Sequence, residues 1–561
     1  MTNPAQGITV SAWVEATDGR GEGLQALVSQ WRPPDRWPGF AAVDAGQTDG
    51  LPSRGYFGAV CDGRYVYFVP EMHGEAGCPT HGIVLRLDTH ADFDDPAAFV
   101  AYDAGRTDGM DTRGYYGGVF DGRYVYFVPR QLDMVQYHSR VLRLDTEGVF
   151  DNADSWAAFD VGEAHSQQGA AFDGRYIYFC PGFSGNPEKE DEHCGRVIRY
   201  DTRADFKNQS SYVSIDVTGF LGTASACFDG GAFDGRYVYF VPLYSGMAVR
   251  YDTAAAFDEP QSWQVYDVRP HGYELAVGAV FDGTWLYYCA YGHAKIVRFD
   301  TRGDFTDPTR WEAYDADPTE NLRTTGFDGG FFDGRFVYFQ PFFLHVGPGP
   351  RDNQFHAHYL RYDVTSPFGE PTSWQAQDAS ATASLHSVGY NGGAFDGRFF
   401  YAAPWQQGRK PDNESEFITH GIVLRCDTLG DSGTFSLRWC DCGHNGGLNA
   451  AVIGPSFLVN TDRGCIRVSS QRLLVPGRHH LAGTYDGEMI RLYVDGHLVA
   501  QRSGVGRMVD SDLPITVGRI QDGAGKFRGR VLATAVMTEA ATAEEVAEMA
   551  RMPPEDTGLS T

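Results

Sequence analysis

The chain has 561 residues, 42% of them apolar, which is too long for one hydrophobic core and predicts several domains. Its 73 acidic and 46 basic residues give a formal net charge of −27 that is spread thinly, which argues against nucleic acid and membrane surfaces as partners. No run reaches the roughly 20 apolar residues of a membrane span, and the start lacks the features of an export signal. With Met1 as the native start, the sequence predicts a cytoplasmic protein whose ten cysteines are mostly reduced core thiols.

Two extended runs, Ile8 to Val14 and Leu24 to Trp31, open the chain and predict a pair of strands. We assign residues 1–32 to a first structural part whose partner segment lies at the other end of the sequence. The next run, Trp37 to Asp44, has the form of the last strand of the repeat that follows it.

A repeat occupies residues 33–432 and predicts an all-β, seven-bladed β-propeller. Its unit reads G-G-x-F-D-G-R-Y-V-Y-F-x-P, then G-x-V-x-R-Y-D-T, then W-x-x-Y-D, which is four short extended runs. The Asp-Gly turn of the unit occurs seven times, at Asp62, Asp121, Asp173, Asp234, Asp282, Asp333 and Asp396. The seventh unit lacks its W-x-x-Y-D run, so the strand at residues 37–44 is expected to complete the last blade and close the ring.

A different β pattern begins near residue 433. The segment His479 to Ala500, with Asp-Gly turns at Asp486 and Asp495, resembles the laminin-G-like, concanavalin-type jelly roll. That family usually opens with strands of the type found at residues 8–14 and 24–31, so the resemblance implies one discontinuous two-sheet sandwich formed by residues 1–32 and 433–550. The run Ala540 to Ala550 predicts a helix, and residues 551–561 are expected to be a flexible tail.

Histidines concentrate on the loops that leave one face of the propeller, and six of them lie at or next to one position of the repeat. Recurrence favours a structural role, and the alternative is a belt that binds a divalent metal ion, for which Cu, Zn and Ca all remain open. The members of this candidate metal belt are His81, His138, His193, His293, His356 and His420.

A second candidate set breaks the repeat, because it varies from blade to blade immediately before a glycine of the innermost strand. These side chains are predicted to surround the central axis, where carboxylates coordinate a hard cation or act as acid and base, unless Asp229 and Asp328 only cap local turns. The residues are Phe57, Tyr116, Gln168, Asp229, Val277, Asp328 and Asn391.

The same loops carry further candidates. Arg54 and Arg113, beside Tyr56 and Tyr115, suit an anionic or sugar-like ligand, unless they are only solvated loop charges. Glu274 occupies the position equivalent to these arginines in another blade. The candidates for proton transfer are His165, His271, Tyr273, His386 and Tyr390.

We therefore expect an enzyme with a pocket at the axial opening of the loop-rich face. It would act on a small polar or sugar-like anionic substrate by a histidine-rich, metal-assisted mechanism or by His/Tyr acid-base chemistry, the logic used by propeller lyases that the fold resembles. The alternative is a lectin-like protein that binds a glycan without catalysis. No phosphate loop or dinucleotide fingerprint occurs, so no nucleotide cofactor is expected, and the oligomeric state stays open.

Overall fold

The protein is described by a computed structural model that covers residues 7–17, 23–33, 35–37, 39–74, 79–133, 136–163, 165–185, 189, 192–221, 227–292, 295–345, 353–428, 433–442, 450–451, 454–470, 474–521 and 525–554. These residues form β-strands joined by short turns, and the two α-helices among them are α1 (Thr218–Leu221) and α2 (Ala543–Met549). Neither of these helices is long and apolar enough to cross a membrane. The predicted all-β class is confirmed.

Within the described residues, seven sheets that each contain four antiparallel strands follow one another along the chain, and we number them blades 1 to 7. The sheet of blade 2 has a fifth strand, which pairs in parallel. The strands of blades 1 to 4 are β4 (Tyr56–Cys61), β5 (Tyr65–Pro70), β6 (Ile83–Asp88), β7 (Phe99–Asp103), β8 (Tyr115–Phe120), β9 (Tyr124–Pro129), β10 (Arg140–Asp145), β11 (Trp156–Asp160), β12 (Gln167–Phe172), β13 (Tyr176–Pro181), β14 (Arg196–Asp201), β15 (Tyr212–Asp216), β16 (Phe228–Phe233), β17 (Tyr237–Pro242), β18 (Met247–Asp252) and β19 (Trp263–Asp267). Those of blades 5 to 7 are β20 (Ala276–Phe281), β21 (Trp285–Ala290), β22 (Lys295–Asp300), β23 (Trp311–Asp315), β24 (Phe327–Phe332), β25 (Phe336–Pro341), β28 (His358–Asp363), β29 (Trp374–Asp378), β30 (Tyr390–Phe395), β31 (Phe399–Pro404), β34 (Ile422–Asp427) and β3 (Gly39–Asp44).

The ring is continuous, because each first strand contacts the first strand of the next blade and β30 of blade 7 contacts β4 of blade 1. Strand β3, from the amino-terminal part of the chain, lies antiparallel to β34 as the outer strand of blade 7. Blades 6 and 7 each carry an extra hairpin on the loop face, formed by β26 (Phe343–His345) with β27 (Asn353–Phe355) and by β32 (Gln406–Lys410) with β33 (Asn413–Thr419).

Arginine side chains join neighbouring blades. Arg86 of β6 lies between the Tyr65 ring of its own blade, at 4.3 Å, and the Phe150 ring of blade 2, at 4.4 Å. The arrangement recurs around the ring and closes it, since Arg425 of blade 7 lies between Phe399, at 4.5 Å, and Phe93 of blade 1, at 4.3 Å. The arginine of the third strand in one blade therefore forms a cation–π contact with a phenylalanine of the next blade.

The innermost strand of every blade has a β-bulge at the glycine that the sequence placed near the axis. In blade 1 the pairing of β4 with β5 shifts register between Tyr56 and Ala59, and Gly58 has φ +81°. A bulge of this kind requires a left-handed residue and turns the preceding side chain out of the strand's alternation. The left-handed backbone conformation therefore explains the repeated glycine.

The remaining strands form a sandwich of two five-stranded sheets. Their orders are β41-β40-β39-β1-β43 and β38-β37-β35-β2-β42, so the first two strands of the chain pair with strands from its carboxyl-terminal part. The bounds are β1 (Ile8–Ala16), β2 (Gly23–Gln30), β35 (Phe435–Cys442), β37 (Ser456–Thr461), β38 (Gly464–Ser469), β39 (Gly477–Tyr485), β40 (Met489–Val494), β41 (His497–Ser503), β42 (Thr516–Val517) and β43 (Gly529–Met537). The predicted helix at 540–550 is the shorter α2, and residues 555–561 of the predicted tail lie outside the described residues.

The sandwich contacts the propeller on the face that carries the Asp-Gly turns. Arg438 donates to the carbonyl of Gly397 at 3.3 Å, and Arg398 donates to the carbonyl of Cys465 at 3.0 Å. Strand β36 (Ala450–Ala451) pairs in parallel with the last two residues of β8, near the same end of the axis. The loop face, where the sequence placed the candidate site, is thus the opposite side of the ring.

Candidate functional site

The residues that precede the seven bulge glycines meet at the axis, as the repeat predicts. We call them the glycine ring, and their side chains are 1–4% exposed. The ring contains the polar residues Tyr116, Gln168, Asp229, Asp328 and Asn391, together with Phe57 and Val277. Because each comes from a different blade, the polar groups are collected from residues that are far apart in the sequence.

Two hydrogen-bonded groups form within the glycine ring. The Tyr116 hydroxyl donates to Asp229 Oδ2 at 3.2 Å, and the Gln168 amide donates to the same oxygen at 3.4 Å. Across the ring, the Asn391 amide donates to Asp328 Oδ2 at 2.7 Å. The two aspartates therefore do more than cap turns in their own strands, which was the alternative interpretation of the sequence.

A second ring, which the sequence analysis missed, lies beside the first. It consists of the residue after the last position of the second strand in each blade, and we call it the proline ring because that position is proline in six of seven blades. Its members are Glu71, Arg130, Gly182, Leu243, Tyr291, Phe342 and Trp405. The glycine ring was identified because the residue beside a repeated glycine varies from blade to blade. The residue after the repeated proline varies in the same way, so the proline ring could have been predicted from the sequence.

Arg130 connects the two rings. Its guanidinium lies over the faces of Phe57 and Tyr116, with ring centroids at 5.0 and 4.6 Å. Arg130 Nη1 is 3.5 Å from Glu71 Oε1, which also accepts a hydrogen bond from the Gln131 amide at 2.7 Å. We call Glu71, Arg130, Tyr116, Gln168, Asp229, Asp328 and Asn391 together the axial cluster.

Burial controls the ionisation of the three carboxyl groups in the cluster. Burial raises the pKa of Asp229 to about 8, although the Arg130 charge and the Tyr116 hydrogen bond act in the opposite direction. Burial, followed by the nearby Asp229 charge, raises the pKa of Asp328 well above its usual range. Burial raises the pKa of Glu71 to about 7 despite Arg130 and Gln131. The cluster therefore holds protons at neutral pH, as acid-base chemistry requires.

Several buried oxygens of the cluster have no hydrogen-bond partner among the described residues. They are Glu71 Oε2, Gln168 Oε1, Asp229 Oδ1, Asp328 Oδ1 and Asn391 Oδ1. Buried polar atoms are almost always satisfied by protein, water or a ligand, so these five oxygens are available to water molecules or to a polar ligand.

The recurrent histidines of the predicted metal belt have structural contacts instead. His138 Nε2 donates to the carbonyl of Arg113 at 2.8 Å, and Nδ1 accepts from the Arg140 amide at 3.1 Å. His81, His356 and His420 make the same pair of backbone contacts within their own blades. Burial lowers the pKa of His81 and His356 to about 3 and that of His138 and His420 to about 4, so the rings stay neutral.

The other two members of the belt differ. His193 stacks on Tyr244 with ring centroids 5.3 Å apart, and His293 lies outside the described residues. In the part of the chain that the structure describes, no group of three or more His, Cys, Asp or Glu side chains is placed to hold a metal ion. The described histidines therefore support the structural interpretation of the recurrent position.

The tyrosines that begin the innermost strands belong with these histidines and not with the axis. Tyr56, Tyr115 and Tyr390 are fully buried, and each packs edge-on against the recurrent histidine of its blade, at 5.6, 5.7 and 5.4 Å between ring centroids. Residues at this position point away from the bulge side chain that follows them. Their predicted roles in substrate binding and proton transfer stay predictions, at a place beside the histidines and not at the axis.

The remaining candidates are dispersed over the loop face. His165 is buried with Nδ1 3.8 Å from Glu163 Oε2, His271 contacts the Tyr266 hydroxyl at 2.8 Å, and His386 is exposed. The Tyr273 hydroxyl donates to the carbonyl of Pro242, and Glu274 is exposed. His165, His271, Tyr273 and His386 of the proton-transfer set, and Glu274 of the ligand-binding set, thus have separate surroundings, and their roles stay predictions.

The arginines predicted to bind an anion also lie away from the cluster. Arg113 makes two hydrogen bonds to the Asp111 carboxylate, at 2.6 and 2.8 Å, and donates to the carbonyl of Thr80. Arg54 is half-buried at the equivalent place in blade 1. In the described part of the chain, Arg130 places its guanidinium over Phe57 and Tyr116 of the glycine ring.

Comparison with known proteins identifies the sandwich. The family model of the concanavalin A-like lectin/glucanase superfamily matches residues 411–547, and no curated protein matches the sequence. This match confirms the concanavalin-type, laminin-G-like resemblance predicted for the carboxyl-terminal domain.

Similar solved structures include the periplasmic gluconolactonase PpgL of Pseudomonas aeruginosa, which is 16% identical and has a TM-score of 0.39 over 65% of this chain and 99% of that one. A putative 6-phosphogluconolactonase from Bacteroides uniformis is 12% identical, with a TM-score of 0.35 over 65% and 97% of the two chains. The dihydro-heme d1 dehydrogenase NirN is 14% identical, with a TM-score of 0.36 over 72% and 78%. At these TM-scores the similarities carry no argument about the chemistry of this chain, which joins an all-β propeller to a concanavalin A-like domain.

Proposed function

We propose that the chain is an enzyme whose active site is the axial cluster and that it acts on a small polar, sugar-like substrate by acid-base chemistry. The observation that carries this proposal is the pair of buried aspartates, Asp229 and Asp328. Each has one oxygen held by neighbours and one oxygen without a partner among the residues that the structure describes. Carboxyl groups in such surroundings are the usual proton donors and acceptors of enzymes.

The hydrogen bonds decide where a proton resides. Asp229 Oδ2 accepts from both Tyr116 and Gln168, so a proton on this carboxyl group belongs on Oδ1. Asp328 is arranged in the same way, because Oδ2 accepts from Asn391. Each aspartate thus presents Oδ1 to a bound molecule. Since the two carboxyl groups interact, they titrate as a pair, and one can donate a proton while the other accepts one.

The surroundings suit a sugar-like molecule. The amide oxygens of Gln168 and Asn391 accept hydrogen bonds from hydroxyl groups. Aromatic rings supply apolar walls, since Trp405 packs on Phe57 at 4.5 Å and on Phe342 at 5.3 Å between ring centroids. A ring with hydroxyl groups and apolar faces uses both kinds of surface.

The test is conversion of small sugars, amino sugars and sugar acids, followed by proton NMR. We expect turnover of at least one compound, and a loss of about 100-fold or more in rate for Asp229→Asn and for Asp328→Asn. Asp94→Asn, which changes an exposed aspartate, is the matched control and should retain full activity. Turnover that survives both axial substitutions would contradict the proposal.

A second candidate function is glycan binding by the concanavalin A-like domain, which the family match favours. A cleft of about 780 Å³ between the sandwich and blade 1 offers a place for it. Its lining includes Arg64 and His90 of the propeller and Ser469, Asp495 and His497 of the sandwich. Binding on a glycan array that is lost in His497→Ala, and kept in Asp229→Asn, would assign glycan binding to this cleft.

A further inference from the structure

We infer that the ligand of the axial cluster is a hydroxyl-bearing molecule with a protonated amino group, such as an amino sugar, whose ammonium lies between Asp229 and Asp328. This inference rests on the proposed function for the location of the site. It replaces the anionic substrate predicted from the sequence, because oxygens predominate among the buried polar atoms of the axial cluster that lack a partner in the described residues.

The hydrogen-bonding capacity of the cluster is unequal. Five buried oxygens lack partners among the described residues, two of them on the amides of Gln168 and Asn391. The buried nitrogen donors that also lack a hydrogen-bond partner among the described residues are Arg130 Nε and Nη1 and Trp405 Nε1. Of these, Arg130 Nη1 already lies 3.5 Å from Glu71 Oε1. When the carboxyl groups are ionised, a ligand that satisfies this surface must donate more hydrogen bonds than it accepts, as hydroxyl and ammonium groups do.

The charges are unequal in the same direction. Three carboxyl groups, those of Glu71, Asp229 and Asp328, are influenced by one positive side chain, Arg130. If all three ionise, the buried group has a charge of −2, which adds to the effect of burial in retaining the proton of Asp328. An ammonium group would compensate one carboxylate, whereas a carboxylate on the ligand would add a fourth negative charge in a buried place.

The aromatic side chains beside the carboxyl groups also favour a positively charged ligand. The faces of Phe57 and Tyr116 already hold the guanidinium of Arg130. Tyr291, Phe342 and Trp405 extend this aromatic surface, with Tyr291 stacked on Phe342 at 6.0 Å. Carboxylates combined with aromatic faces are the chemistry by which proteins bind organic ammonium groups.

The test uses compounds with the same ring and different charge, namely glucosamine, glucose and glucuronic acid, together with the corresponding galactose and mannose series. By titration calorimetry on the full chain at pH 7, we expect the best amino sugar to bind about tenfold or more tightly than its neutral counterpart. Its binding should release protons, measured as a dependence of the heat on the buffer, because the ammonium favours ionised carboxylates.

Variants and a metal control separate the possible results. Asp229→Asn and Asp328→Asn should each reduce the preference for the amine over the neutral sugar about tenfold, whereas Asp94→Asn should not change it. Thermal unfolding of each variant establishes that it is folded. Tighter binding of a uronic acid, no binding of any amino sugar, or Ca²⁺ binding in place of the amine would overturn the inference. Amine binding with proton release but without turnover would preserve it and would contradict the enzyme proposal instead.

Discussion

The hydroxyl of Tyr116 in blade 2 donates to Asp229 Oδ2 in blade 4 over 3.2 Å, although 113 positions separate the two residues in the sequence. The contact exists because both side chains follow the same bulge geometry and reach the axis at one level. The hydrogen bond favours the ionised form of Asp229.

Removal of this donor should therefore raise the pKa of Asp229. We expect Tyr116→Phe to shift the Asp229-dependent limb of the pH–rate profile toward higher pH and to reduce activity about tenfold at neutral pH. The profile of initial rates between pH 5 and 9 tests this. An unshifted profile would show that Tyr116 does not act on Asp229.

Asp229 should also affect stability in a pH-dependent way. Its pKa is about 8 in the folded protein and near 4 when unfolded, so the stability contributed by the protonated carboxyl group is present below pH 4 and is lost as pH rises through 8. Asp229→Asn does not titrate, and its midpoint of urea unfolding should improve relative to the natural protein between pH 5 and 9. If the difference in urea midpoint between Asp229→Asn and the natural protein were the same at pH 5 and at pH 9, the raised pKa of Asp229 would be contradicted.

For the buried neutral histidines, we expect the stability to change with pH in the opposite direction. Burial lowers the pKa of His138 to about 4, so the stability it contributes is present above pH 6.5 and is lost as pH falls through 4. His138→Leu should be less stable than the natural protein at pH 7 by about 2 kcal/mol, and this difference should shrink toward pH 4. Thermal unfolding tests this, with the exposed His497→Leu as control.

Gly114 positions the strand that carries Tyr116. A Cβ on Gly114 would lie 1.7 Å from the carbonyl oxygen of Gln131, whereas a Cβ on Gly109, with a similar φ, would meet nothing within 4 Å. Gly109→Ala should therefore cost about 1 kcal/mol for its left-handed backbone. Gly114→Ala should cost about 3 kcal/mol or more, because the backbone must move. Equal unfolding midpoints for the two variants would contradict this account.

The cation–π contacts between blades should contribute to closure of the ring. Arg425→Met keeps the apolar part of the side chain and removes the charge between Phe93 and Phe399, at an expected cost of about 1 kcal/mol. The exposed Arg106→Met should have no measurable effect on the urea midpoint. A midpoint for Arg425→Met that equals that of the control would assign the contact no energetic role.

Much of the fold could be predicted because the repeat makes each local signal appear several times. The Asp-Gly turn is an example, since Asp62 accepts from the amides of Arg64 and Tyr65 and from the Tyr67 hydroxyl, and these residue types recur together. The glycine ring was also predictable, because it varies where the rest of the repeat is constant.

The contacts of the other residues of the site could not be predicted, because the spacing of residues in the sequence does not determine where each side chain points. Tyr115 and Tyr116 are adjacent in sequence, yet Tyr115 packs on His138 and Tyr116 reaches Asp229. The sequence also gave no reason to separate Arg113, which is paired with Asp111, from Arg130, which lies in the axial cluster. Side-chain partners, and not residue types, decide which of these groups is available to a ligand.

The most direct test is a crystal structure of the full chain soaked with the amino sugar that binds most tightly in solution. The account predicts electron density at the axis, with the amino nitrogen within hydrogen-bonding distance of Asp229 Oδ1 and Asp328 Oδ1. Density confined to the cleft between blade 1 and the sandwich, with the axial aspartates unchanged, would contradict it.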